Sequence, residues 1–150
     1  MQFGWINAVN AFAVICLIAV NILCARRGLA DSWKSRHTAV NVFEQIGRYG
    51  CMALMILPLT AGWEFGFASP GRMVAWLILT FVLLAAYSIL WACKRKGGKA
   101  VLYALAVLPV CLFLQSGVLL RHWLLAAFAL LFGVFHLWIV QENVMGGKSS

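Results

Sequence analysis

Four stretches of this chain carry no Asp, Glu, Lys or Arg across a length that would cross a bilayer: Phe3–Cys24, Met73–Cys93, Ala100–Leu120 and Trp123–Val140. A helix rises ~1.5 Å per residue, so about 20 apolar residues cover the roughly 30 Å of hydrocarbon in a membrane. A water-soluble chain of 150 residues must present a mostly polar exterior, and 64% hydrophobic residues with a mean hydropathy of +0.92 leave too little to build one. The expected class is all-α: a polytopic integral membrane protein, residues 1–150 forming one transmembrane helical domain.

A fifth stretch differs from these four. Glu44 to Gly66, EQIGRYGCMALMILPLTAGWEFG, begins with a carboxylate, an amide and a guanidinium, continues as an apolar run broken by Pro58, and ends in Gly62-x-x-x-Gly66. We read Ile46–Phe65 as the second of five spans, at about 3–24, 46–65, 73–93, 100–120 and 123–140. The segment 25–43 between the first two is expected to be a loop or short interfacial helix, and 94–99 a basic turn. Gln141–Ser150 is expected to be a frayed polar tail. No positive charge precedes the first span and no small-residue cleavage site is evident, so it is expected to stay in the protein.

Orientation follows from the basic residues. Arg26, Arg27, Lys34, Arg36, Lys94, Arg95, Lys96, Lys99 and Lys148 fall on one side of a five-span chain, and Arg72 and Arg121 on the other. Lysine and arginine accumulate in cytoplasmic loops, so the N-terminus is expected outside and the C-terminus inside, in the plasma (cytoplasmic) membrane. Trp5, Trp63, Trp76 and Trp123 then fall near the outer boundary, with Trp91 and Trp138 near the inner one, where indoles favour the interface. The net charge of +8 sits between apolar runs and not on a polar face. Its expected partners are the bilayer and its anionic lipid headgroups at the basic loops, with no nucleic acid.

Ionisable groups at membrane depth are costly unless paired or wet, which makes them functional candidates. Glu44 and Arg48 are four apart and share a helix face. Asn21, Tyr87 and His136 reach a similar inner depth on the first, third and fifth spans. These five are the expected substrate-binding residues of a cytoplasm-facing polar vestibule. The competing reading is packing: Arg48 snorkels to headgroups with Glu44 beside it, Tyr87 sits at the interface, and His136 bonds a neighbouring helix. Asn7, Asn10, Glu64, Arg72, Gln115, Arg121 and His122 form a weaker outer set.

Pro58 and Pro109 each free a backbone carbonyl mid-span. Sliding the chain by 51 residues superposes Gly47 on Gly98, Leu57-Pro58 on Leu108-Pro109 and Gly66 on Gly117. The second–third and fourth–fifth hairpins are therefore expected to form a degenerate parallel repeat. Gly62-x-x-x-Gly66 and Ala129-x-x-x-Gly133 permit close helix approach and a homodimer.

The chain lacks HExxH, Gly-x-Ser-x-Gly, a P-loop and CxxC, and its four carboxylates are too few for a magnesium cluster. No catalytic residue, metal or cofactor is expected. The segment EQIGRYGCM, the lysine-rich hairpin KRKGGK and the five-span layout resemble small uncharacterised membrane proteins of Gram-positive bacteria. That resemblance implies location and topology, without an activity. The expected function is a transporter- or channel-like protein for a small polar or amphipathic solute. The alternative is a non-catalytic accessory or immunity-type membrane protein acting through a protein partner or lipid. A lipid-modifying enzyme ranks third, with Glu44 or His136 as general acid/base.

Overall fold

The computed structural model describes residues 4–29, 33–57, 67–94, 96 and 98–146, with side chains from Ala8 onward except that of residue 9. They form five helices: α1 (Gly4–Arg26), α2 (Thr38–Ile56), α3 (Pro70–Cys93), α4 (Lys99–Leu119) and α5 (Trp123–Gly146). Among the described residues there is no strand. Helices α3, α4 and α5 are long and apolar enough to cross a membrane, and Asn10–Arg26 within α1 is a shorter apolar helix. The all-helical class and the membrane-compatible character of these helices follow directly.

Local sequence explains the ends. Ser69 caps α3, its hydroxyl accepting the Arg72 N–H at 3.4 Å, and Pro70 takes the first helical position, where no N–H is needed. The turn between α4 and α5 closes by paired backbone bonds, His122 N–H to Gly117 O at 2.7 Å and Arg121 N–H to Val118 O at 3.2 Å, with Arg121 at φ 57°. His122 then receives the Leu125 N–H on Nδ1 at 3.0 Å and so starts α5. Gly117 is required here, because a Cβ would lie 2.7 Å from the Ala126 nitrogen.

The helices close into a ring in the order α1, α2, α5, α4, α3. Among the described residues the joints α2–α5 and α4–α5 are the most extensive, and the two joints made by α1 are the loosest. Glycine sets the tight side: a Cβ on Gly47 would meet the Phe132 backbone at 2.8 Å, and one on Gly50 the Phe128 ring at 2.3 Å. Gly133 of the Ala129-x-x-x-Gly133 pair faces Val110 of α4, so that small-residue stripe is used within the chain.

Three boundaries differ from the sequence reading. Helix α1 runs to Arg26 and α2 starts at Thr38, so both ends of the expected 25–43 loop are helical. Helix α5 continues through Gly146, so 141–146 of the expected tail are helical, and their polar groups are used. Glu142 accepts the Ser35 hydroxyl at 2.6 Å and the Arg36 N–H at 3.1 Å, while Asn143 donates to the Lys34 carbonyl at 3.1 Å. The connection from α1 to α2 is thereby fastened to the end of α5. The far half of the Ile46–Phe65 segment, with Pro58, Trp63, Glu64 and Gly62-x-x-x-Gly66, lies outside the described residues.

The expected repeat does not extend to packing. Helices α4 and α5 pair closely, whereas α2 and α3 share no packed interface among the described residues; α2 lies on α5 and α3 on α4. Trp76, expected near the outer boundary, faces into the bundle. It is only 2% exposed and donates its indole N–H to the Ser116 hydroxyl at 3.0 Å. That hydroxyl satisfies the one polar atom of the indole, which leaves the ring free to fill the core.

Candidate functional site

The ring encloses a cavity of about 1310 Å³ at the end carrying the 27–37 and 94–98 connections, lined by side chains of all five helices. Asn21, Glu44, Arg48, Tyr87 and His136 all line it. Five residues chosen from sequence by depth and polarity are thus brought to one space. They form two groups on two walls.

On the α2–α5 wall, Glu44 is 2% exposed and is the hub. Its Oε1 takes the Arg48 guanidinium one helical turn away and lies 3.0 Å from His136 Nδ1, and its Oε2 accepts the Gln45 amide at 3.1 Å. A buried carboxylate needs such donors, because an unpaired one would carry the full cost of desolvation. Phe132 supports the group from one turn below His136. Its ring lies 4.8 Å from the imidazole and 5.7 Å from the Arg48 guanidinium carbon. Close α2–α5 packing at Gly47 brings His136 within reach of Glu44.

On the α1–α3 wall, Tyr87 donates its hydroxyl to Asn21 Oδ1 at 2.6 Å, and its ring meets Trp91 edge-on at 6.2 Å. The wall continues to Lys94, which reaches the Leu29 carbonyl and lies 4.8 Å from the Trp91 ring and 6.0 Å from that of Trp33. Trp33, Trp91, Lys94, Gln45 and Phe132 line the cavity and were not in the expected set. Helical spacing could have found two of them, since Tyr87, Trp91 and Lys94 follow one another at four and three residues along one face. Trp33 sits in the connection, where no periodicity operates.

The outer residues do not converge in the same way. Asn10 is fully buried, and neither atom of its amide has a hydrogen-bond partner among the described residues. Gln115 donates to Thr80 at 2.9 Å, linking α4 to α3. His122 serves the α4–α5 turn, and burial holds its imidazole below the ordinary histidine range. Arg72 begins α3 and Arg121 sits in the turn. Glu64 and the Asn7 side chain lie outside the described set.

Chemically, the inner arrangement can hold and orient a ligand, and a Glu–His pair lining a cavity can exchange a proton with one. No group of three or more histidine, cysteine, aspartate or glutamate side chains suited to a metal ion occurs among the described residues. The cysteines Cys16, Cys24, Cys51, Cys93 and Cys111 are all unpaired thiols. Comparison with protein-family models, with curated proteins and with solved structures gave no match.

Proposed function

We propose that the chain is a five-span protein of the cytoplasmic membrane, N-terminus outside and C-terminus inside, that admits a small polar or amphipathic solute to a cytoplasm-facing vestibule. The observation that carries this reading is the cavity itself. All five helices contribute to it, and its walls concentrate Glu44, Arg48, His136, Asn21 and Tyr87, the deep polar groups of the basic end. A bundle that served only as an anchor would fill this space with apolar side chains. The basic connections at this end support a mouth on the cytoplasmic side.

The test is water access. Single cysteines replacing Gln45 and His136 in a cysteine-free chain are treated with a membrane-impermeant thiol reagent in inverted vesicles. Labelling at both positions is expected. A folded protein that labels at 45 and stays dark at 136 overturns the vestibule.

One observation favours the second reading, an accessory protein with a packed polar centre: Glu44 already has three donors within the chain. That reading requires a protein partner that copurifies in mild detergent and position 136 closed to water.

A further inference from the structure

The cavity is open on one side, and the opening runs between helices. On α1, Ile18 and Ile22 line it while remaining 37% and 50% exposed; on α2, Val42, Ile46 and Tyr49 do so at 49%, 47% and 63%. These residues recur at helical spacing, so each helix presents a stripe that is both cavity wall and outer surface. The α1–α2 joint is also among the loosest of the ring, in contrast to the glycine-tight joint α2 makes with α5. A gap between two helices of a membrane bundle faces hydrocarbon, so a molecule entering there comes from the bilayer.

Size and charge narrow the occupant. Pockets for small solutes span roughly 300–1,000 Å³; this one, at about 1310 Å³, is larger. Most of its lining is apolar, including Leu17, Leu105, Pro109 and Phe113. Its charged lining is three cationic side chains, Lys34, Arg48 and Lys94, against the single carboxylate of Glu44. Lys34 and Lys94 sit at the basic end, with the apolar walls reaching inward from them. A zwitterionic headgroup would bring its own cation into this positive field, whereas a phosphate monoester would complement it.

We propose that the vestibule binds one anionic membrane lipid, its phosphate headgroup toward Lys34, Lys94 and Arg48 and its chain leaving sideways between α1 and α2. This rests on the vestibule reading and names the amphiphile that fills it. The lipid is held by two independent features, a cationic mouth and an apolar lateral gap, so each can be removed without the other.

The experiment is native mass spectrometry of the purified chain in neutral detergent with equal concentrations of dioleoyl phosphatidic acid and dioleoyl phosphatidylcholine. One phosphatidic acid per chain is expected, retained at least tenfold better than phosphatidylcholine. Val42→Trp with Ile46→Trp, which narrows the gap at two lipid-exposed positions, is expected to lower that retention at least tenfold. Arg26→Ala with Arg27→Ala removes basic charge outside the cavity and is expected to leave it within twofold. Equal retention of both lipids by the native chain overturns the proposal, whether or not the double tryptophan variant folds. Loss on removing Arg26 and Arg27, with the narrowed variant still binding, also overturns it, because the lipid is then held on the outer surface. Displacement by glycerol phosphate at concentrations near those of the lipid overturns the lipid assignment in favour of a soluble phosphate. Water access at position 136 tests the vestibule separately: a labelled 136 with no lipid preference leaves the vestibule standing and removes only this occupant.

Discussion

Helix α2 has two long faces, and they meet opposite conditions. The face of Gly47, Cys51 and Met55 is closed against the bundle, with Cys51 and Met55 at most 1% exposed and the Phe132 backbone against Gly47. The face of Val42, Ile46 and Tyr49 borders the cavity and stays open. Both are apolar enough to be packed. The difference lies in side-chain size: glycine lets backbones approach on one face, whereas the other carries branched and aromatic residues that border the cavity. A helix whose faces differ in this way can anchor one wall of a cavity rigidly and leave the other wall to move. The same contrast separates the two polar groups. Glu44, Arg48 and His136 are assembled across the tight joint, while Asn21 and Tyr87 depend on α1, the loosest member of the ring.

The largest expected effect comes from destroying the tight face. Gly47→Val places a branched side chain against main chain that cannot move aside, and overpacking of this kind costs about 3 kcal/mol or more. The variant is expected to lose its monodisperse profile in detergent. A Gly47→Val protein with native thermal stability would show that α2 does not lie on α5 as described.

A smaller effect is expected at the hub. Arg48→Ala leaves the buried Glu44 carboxylate with His136 and Gln45 alone, at a cost of about 2 kcal/mol. Arg48→Lys restores the charge without the planar fork and should recover part of it. Detergent thermal unfolding measures both. Because Arg48 is partly exposed and Glu44 is not, Glu44→Gln, which removes the buried charge and keeps an amide oxygen, is expected to be milder than Arg48→Ala. The reverse order would mean that the paired Glu44 carboxylate stabilises the fold by more than its burial costs.

The smallest effect belongs to the open face. Ile46→Ala removes a side chain that is 47% exposed and is expected to shift stability by no more than about 0.5 kcal/mol in detergent. A loss comparable to that of Arg48→Ala would mean that the open face is covered in the folded protein, and the comparison between the two faces would collapse.

Much of the site was legible in the residues. Glu44 and Arg48 announce their pairing by spacing alone, since any helix through EQIGR puts them on one face. His136 and Tyr87 could be matched to them in depth, because apolar runs of fixed rise convert residue number into height. The same logic misled at the ends. Gln141–Gly146 looks like a polar tail until Ser35 and Arg36 are found at Glu142, a contact across more than a hundred residues that no local pattern encodes. Trp76 has the sequence position of a belt residue, and only the hydroxyl of Ser116 explains its burial. The similarity of the segments 51 residues apart describes what each helix is made of and carries no information about which helix it touches.

Apolar run length and the distribution of charge were enough to require helices, three of which are long and apolar enough to cross a bilayer, and to bring the basic connections to one end. These follow from hydrogen-bond satisfaction and solvation, which act on each segment separately. The order of helices around the ring, the placing of Gly47 against Phe132, the convergence of two polar groups on one cavity and its opening between α1 and α2 came from packing. Packing energy depends on the shapes of two surfaces together, so it cannot be read from either helix alone.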